Sequence, residues 1–142
     1  MRKTVLVFGL LAAVAAWPMA HAAVTAYHAT LGGTSEVPPV AGGGSGSAQV
    51  NVDAAAKQVS WRVDYSGLSG PVAAAHIHCG AAPGANAGVA IALGAAPNLA
   101  SPITGSGALT DAQMADLIGG KCYVNLHTAA NKGGEVRGQL AP

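Results

Sequence analysis

The chain contains two short stretches with the same internal pattern, Ala75-His76-Ile77-His78-Cys79 and Cys122-Tyr123-Val124-Asn125-Leu126-His127. Successive side chains point to opposite faces of a β-strand. If both stretches are strands, each places its cysteine with aliphatic residues on one face and its histidines on the other. The pattern therefore predicts a disulfide on the core side and a metal site of three histidines, His76, His78 and His127, on the opposite side.

The composition favours short strands over long helices. Glycine accounts for 20 of the 142 residues, and charged residues make up only 9%. Segments with alternating or apolar patterns recur along the chain, separated by stretches rich in glycine, proline and serine. We predict eight strands, over residues 24–31, 46–52, 58–65, 75–79, 89–93, 103–109, 123–127 and 135–140. Many short strands without alternating helices indicate an all-β fold, an antiparallel sandwich or barrel.

One short helix is predicted between the sixth and seventh strands. Thr110 and Gln113 have the spacing of a capping box, in which two side chains bond backbone groups at the start of a helix. Met114, Leu117 and Ile118 then form an apolar face at helical spacing. Two glycines follow at once and predict the end of the helix.

Residues 1–22 have the three parts of a secretory signal peptide. Arg2 and Lys3 supply positive charge, residues 5–17 form an apolar run, and Ala20-His21-Ala22 matches a cleavage site. A retained N-terminal anchor is the alternative. Cleavage would leave one domain, residues 23–142, exported to the periplasm or out of the cell. No later stretch is long and apolar enough to span a membrane.

The charge of this predicted mature domain argues against a polyanionic partner. Without Arg2 and Lys3, five basic side chains remain against six acidic ones, so the formal charge changes from +1 to −1. Nucleic acids and anionic lipids are bound by clustered basic residues. We therefore expect no nucleic-acid partner. A metal ion is the expected ligand, with an extracellular or periplasmic protein as a further partner.

Cys79 and Cys122 are the two cysteines of the chain. Exported cysteines usually pair, and this pair would close a loop of 43 residues. Two free thiols acting as soft metal ligands are the alternative. A bond between neighbouring strands would let the histidines approach one another, whereas a bond between facing sheets would point them apart. The sequence leaves both arrangements open.

The histidines predict a metal site because same-face residues two apart on a strand lie roughly 7 Å apart, within reach of one ion. Copper is the expected ion and zinc the alternative, since both accept imidazole ligands. In a purely structural interpretation, His127 only forms hydrogen bonds at a strand end.

Three other polar residues are expected to support this site. Arg137 and Glu135 share the outward face of the last strand, and Asn125 shares a face with His127. They could orient an imidazole or guide an anion towards the site. A solvated strand surface is the alternative for the Arg137 and Glu135 pair. The sequence contains no G-x-S-x-G elbow and no phosphate-binding glycine motif, so no catalytic residue is predicted.

Several motifs together resemble the CHRD domain, a module named after chordin and found singly in exported bacterial proteins. They are Leu31 with Glu36-Val37-Pro38-Pro39, Ala75-His76-Ile77-His78, Gly120 with Tyr123-Val124-Asn125-Leu126-His127-Thr128, and Gly134-Glu135-Val136-Arg137-Gly138-Gln139-Leu140. The resemblance covers nearly all of residues 23–142. It implies an immunoglobulin-like, Greek-key β-sandwich.

A more distant resemblance is to the copper/zinc superoxide dismutases, which also combine a Greek-key sandwich with an H-x-H pair and a later histidine. It implies that His76, His78 and His127 match copper ligands and that Arg137 matches an anion-steering arginine. The loop over residues 80–88 departs from that family because it contains no histidine or aspartate.

Three hypotheses follow from these patterns. The first is an exported module that binds copper for binding, buffering or transfer. The second is a structural or protein-interaction module without a metal. The third is a superoxide dismutase-like copper enzyme.

Overall fold

A computed structural model describes residues 23–142. The predicted signal peptide, residues 1–22, lies outside the described residues. The described chain forms eight strands and one α-helix. They are β1 Val24–Gly32, β2 Ser45–Asp53, β3 Gln58–Ser66, β4 Val72–Cys79, β5 Gly88–Ala92, β6 Ile103–Ala108, α1 Asp111–Ile118, β7 Cys122–Thr128 and β8 Val136–Gln139. A single 3₁₀ turn, Gly33–Ser35, follows β1.

All strand pairs are antiparallel, and the strands form one sheet in the order β5-β4-β7-β8-β1-β2-β3-β6. The last strand, β8, lies beside β1, the first strand of the meander β1-β2-β3. The prediction of an antiparallel all-β fold of about eight strands with one short helix is confirmed. The sheet curls around a single core, so its inner surfaces face each other as the layers of a sandwich do.

The two outer strands of the sheet, β5 and β6, approach each other at the nearly closed seam. Just after β5, the Leu93 N–H donates to Ala75 O at 2.8 Å, and the Trp61 indole N–H donates to Leu93 O at 3.1 Å. A Cβ atom on Gly105 of β6 would lie 2.6 Å from the Trp61 ring. Glycine is therefore required at position 105, because any side chain there would displace the tryptophan that seals the seam.

The core is the inner face of this curled sheet. Alternating valines of β2 and β3 fill its centre, and α1 covers one end with Met114 and Leu117. The helix begins as predicted, with the capping box between Thr110 and Gln113. The third residue of the predicted apolar face, Ile118, is 60% exposed and contributes little to the core.

The disulfide joins Cys79 of β4 to Cys122 of β7, which are direct partners in the register of the two strands. Their Cα atoms lie 4.2 Å apart, close to the roughly 4.5 Å of a non-hydrogen-bonded antiparallel pair. The bond therefore links neighbours in one sheet and does not span facing layers. The histidines of the two strands consequently share the opposite face.

We expect the Cys79→Ala/Cys122→Ala double variant to lose about 4 kcal/mol of unfolding free energy, because the bond closes a loop of 43 residues. Urea denaturation of the oxidised protein and the double variant measures this loss. A difference below about 1 kcal/mol would show that the unfolded chain is already restrained between these positions.

Candidate metal centre

The strand register brings the three predicted histidines together. In the pairing of β4 with β7, His78 lies opposite Tyr123, His76 opposite Asn125, and Ala74 opposite His127. His127 is therefore the diagonal neighbour of His76, on the same face. Its Nε2 atom lies 3.1 Å from Nδ1 of His76.

One nitrogen from each ring contributes to a compact cluster. These three ligand atoms all lie within 4.8 Å of one another. The ring centroids are 5.4 Å apart for His76 and His78, 5.0 Å for His76 and His127, and 6.4 Å for His78 and His127. Within residues 23–142, no other group of three or more His, Cys, Asp or Glu side chains is arranged to hold a metal ion. His28, the remaining histidine of this range, is exposed on β1 and lies outside the cluster.

Two backbone carbonyls fix the protonation of two of these rings. Nδ1 of His78 lies 2.9 Å from Ala87 O, and Nδ1 of His127 lies 2.9 Å from Lys132 O. A carbonyl only accepts, so both Nδ1 atoms carry a proton, and in the neutral form of each ring Nε2 keeps a lone pair. Nε2 of His78 is buried and has no hydrogen-bond partner among the described residues. Such an unpaired buried acceptor is uncommon in folded proteins.

The surroundings keep two of the imidazoles neutral. Burial lowers the pKa of His76, and the neighbouring His127 and His78 rings lower it further. Burial also lowers the pKa of His127, against the opposing effect of its bond to Lys132 O, and His78 adds to the lowering. Both pKa values lie below the ordinary 6.5. A neutral imidazole is the form that binds a metal ion.

The loop over residues 80–88 folds across the outer face of the sheet and covers His78. Its anchor is Arg137 of β8, which donates to Ala85 O at 2.7 Å and to the Asn86 side-chain oxygen at 3.0 Å. Asn86 in turn donates to Val37 O at 3.1 Å. The loop thereby holds Ala87 O against His78, and it connects the site to the segment that follows β1.

Tyr123 lies between His78 and Arg137. Its ring stacks on the His78 ring with centroids 4.8 Å apart and planes within 2° of parallel. The Arg137 guanidinium lies 3.4 Å from the Tyr123 ring centroid, at a cation–π distance, and the Tyr123 hydroxyl accepts from the Ala87 N–H at 3.2 Å. Tyr123 supports the site but was not among the residues predicted from the sequence, although it lies on the same face of β7 as Asn125 and His127.

Asn125 and Arg137 also meet a buried carboxyl group, that of Glu36. Glu36 is 4% exposed, and one of its carboxyl oxygens has no hydrogen-bond partner in the described part of the chain, as is true of the Asn125 side-chain oxygen. Burial raises the pKa of Glu36 to about 7, although Arg137, Asn125 and the Val37 backbone act to lower it. Asn125 therefore supports Glu36, in addition to lying opposite His76 in the register.

Glu135 is directed away from the imidazoles, towards the turn between β7 and β8. Its carboxylate accepts hydrogen bonds from the Ser69 N–H at 2.6 Å, the Ser69 and Thr128 hydroxyls at 2.5 Å each, and the Asn131 amide at 3.0 Å. Burial acts to raise the pKa of Glu135, but the bonds from Ser69, Thr128 and Asn131 outweigh it and hold the value at about 2. This turn includes Lys132, whose carbonyl orients His127.

The alternative of a solvated strand surface for Glu135 and Arg137 is wrong. Arg137 is 2% exposed and Glu135 is 5% exposed. The alternation of side chains along the predicted strand placed both residues on the outward face, but it could not show that loops cover that face. Arg137 orders the loop over His78, and Glu135 orders the turn beside His127.

Comparison with known proteins identifies one family. The sequence model of the CHRD domain matches residues 27–140, from β1 to the end of the sheet. The chain belongs to the CHRD domain family. No curated protein and no solved structure matches it. Within residues 23–142 of this CHRD protein, none of the helices has the length and apolar character needed to cross a membrane.

The pKa values of the two buried carboxyl groups of the CHRD domain, Glu36 and Glu135, are shifted in opposite directions. Their contributions to the free energy of unfolding should therefore depend on pH in opposite ways. The raised pKa of Glu36 means that its contribution to stability is complete below pH 4.5 and is lost as the pH rises through about 7. We expect Glu36→Gln, which removes this ionisation, to be more stable relative to the wild type at pH 8 than at pH 5, by on the order of 2 kcal/mol.

Glu135→Gln is the matched control for this experiment. The lowered pKa of Glu135 means that its contribution is complete above pH 4.5 and is lost as the pH falls through about 2. This variant should be destabilised at neutral pH and should approach the wild type near pH 2. Urea denaturation at several pH values measures both profiles. Parallel profiles for Glu36→Gln and the wild type would contradict the assignment of a raised pKa.

Proposed function

We propose that this CHRD module binds one copper ion through His76, His78 and His127, in a binding, buffering or transfer role. The observation that carries the proposal is the buried, unpaired Nε2 atom of His78 beside two further imidazoles. A metal ion would satisfy this lone pair without a proton. A purely structural histidine would be expected to have a partner there.

The donor set and its supports fit a transition metal. Metal-binding histidines commonly donate their other ring N–H to a carbonyl or carboxylate, as His78 does to Ala87 and His127 does to Lys132. Bonds of about 2.0 Å require ligand nitrogens no more than about 4 Å apart. The closest pair, at 3.1 Å, already meets this condition, and the farthest, within 4.8 Å, would need to approach by roughly 1 Å.

Copper is favoured over zinc by the chemistry of the ligands. For a given set of nitrogen donors, affinity is higher for Cu²⁺ than for Zn²⁺. The set of ligands consists of three imidazoles and contains no thiolate, because both cysteines are held in the disulfide on the other face. No ligand in the site therefore favours Zn²⁺ enough to reverse the higher affinity of nitrogen ligands for Cu²⁺.

A role in binding or transfer accounts for the site better than superoxide dismutation. The loop over residues 80–88 offers the site a backbone carbonyl and contains no histidine, aspartate or glutamate to bridge a second metal. We also propose that the mature module is residues 23–142 and that it is exported. The signal-peptide pattern supports this proposal, and so does the disulfide, which forms and persists in oxidising compartments.

Titration of the protein with Cu²⁺ and with Zn²⁺, followed by calorimetry, tests the proposal. We expect one equivalent of Cu²⁺ to bind, more tightly than Zn²⁺. His78→Phe keeps an aromatic ring against Tyr123 but removes the ligand, and His127→Ala removes the half-buried ligand. Each should weaken copper binding at least about 100-fold, since loss of a supporting residue alone costs 10–100-fold.

His28→Ala is the matched control, because His28 is an exposed histidine outside the cluster. It should bind copper as the wild type does. Equal copper binding by the wild type and by His78→Phe and His127→Ala would overturn the proposal, provided that circular dichroism shows the variants folded. Absence of copper binding to the wild type would overturn it as well and would favour the interaction module.

Asn86 tests whether the loop over residues 80–88 positions His78. It connects Arg137 to Val37 and lies one residue before Ala87, but its side chain makes no contact with an imidazole in the hydrogen-bond network. We expect Asn86→Ala to weaken copper binding about 10-fold, the lower end of the range for residues that orient ligands. Asn98→Ala, an exposed asparagine on another loop, is the control and should leave the affinity unchanged. An unchanged affinity in Asn86→Ala would show that the loop is not needed to orient His78.

A further inference from the structure

A groove beside the histidines suggests what else binds there. It has a volume of about 450 Å³ and is lined by Ala73, Ala74, Thr128, Ala129, Lys132 and the two histidines His76 and His127. We infer that this alanine groove binds a small organic anion, an aliphatic monocarboxylate, whose carboxylate coordinates the metal. The inference rests on the proposed function, because the metal ion provides one of the two charges that attract the anion.

The geometry leaves the metal open on the groove side. His78 is 8% exposed and is covered by Ala87 and Tyr123. His76 and His127 are partly exposed and form one wall of the groove. A metal held by three protein ligands retains at least one position for an external ligand. In this site, that position is reached from the groove.

The walls of the groove match an aliphatic carboxylate. Three alanines give it an apolar surface, Lys132 supplies a cationic side chain, and no Asp or Glu is among its lining residues. Lys132 forms no salt bridge with any described residue. Small-molecule sites typically have volumes of about 300–1,000 Å³ and are mostly apolar, with a few polar groups that orient the ligand. An anionic head group would therefore lie between the metal ion and Lys132, with its aliphatic part on the alanines.

Hexanoate is a suitable probe, with acetate and hexanol as its short and uncharged counterparts. We expect hexanoate to shift the visible absorption of the copper-loaded full chain and to bind at least 10-fold more tightly than acetate, which lacks the tail. Hexanol should cause no shift. Metal-free protein should bind hexanoate at least 10-fold more weakly than the loaded protein, because the coordination bond is missing.

Ala129→Phe and Lys132→Met test the two halves of the groove. Ala129 is exposed in the turn after β7, so a larger side chain there should fill the groove without disturbing the core. Both variants should bind copper as the wild type does and hexanoate at least 5-fold more weakly; Lys132→Met keeps the backbone carbonyl that orients His127. Ala55→Phe and Lys121→Met are the controls, because Ala55 is exposed in the turn between β2 and β3 and Lys121 lies at the far end of β7. Neither control should change hexanoate binding.

The outcomes separate this inference from the proposed function. Copper binding without a hexanoate response would overturn the groove assignment and leave the copper site in place. A hexanoate response of equal size in Ala129→Phe and Ala55→Phe would also overturn it. Failure of the wild type to bind copper would overturn both proposals.

Discussion

The pairing of β4 with β7 is the constraint from which the site follows. Side chains alternate along β7 and along β4 beyond its irregularity near Ala74, so a shift of one residue in their register would place the β4 histidines and His127 on opposite faces. The Cys79–Cys122 bond lies on the core face of this pair and joins direct register partners. It thereby fixes the one alignment in which His127 is the diagonal neighbour of His76. The disulfide acts on the imidazoles without contacting them.

The second constraint comes from two buried charged residues of opposite sign that order the loops over the site. Arg137 extends over Tyr123 to hold residues 85 and 86, whereas Glu135 collects four hydrogen bonds from the segments around the turn after β7. Each loop then presents one backbone carbonyl to one imidazole. A buried charge is costly unless it is fully bonded, so these residues define the loop conformations more sharply than apolar contacts would. Glu36 is the exception, since its unpaired oxygen and raised pKa indicate incomplete compensation by Arg137.

The sequence predicted those features that depend on alternation along a strand. Strand parity identified the cysteine face and the histidine face, and the spacing of Thr110 and Gln113 identified the start of α1. Parity could not identify neighbouring strands, because β4 and β7 are separated in the chain by β5, β6 and the helix. It also could not predict the covering of the outer face. The loop that covers it, residues 80–88, is mostly alanine and glycine, and it has no periodic pattern from which a docking surface could be inferred. The burial of Arg137 was missed for this reason, and that of Glu135 was missed because Ser69, Thr128 and Asn131 come from segments without a periodic pattern.

Whether the three histidines form a metal site or only a structural cluster depends on how many of their ring nitrogens have hydrogen-bond partners. With Nδ1 of His78 and of His127 occupied by carbonyls, a single proton on Nδ1 of His76 can satisfy Nε2 of His127 through the 3.1 Å contact. No proton then remains for Nε2 of His78, which is buried. Protonation of a second nitrogen would place a charge among rings whose burial already opposes it, as the lowered pKa values of His76 and His127 indicate. In the neutral cluster, the buried lone pair on Nε2 of His78 is therefore left without a donor among the described residues. A metal ion would accept this lone pair together with one from each of the other two rings, once the His76 proton has moved from Nδ1 to Nε2.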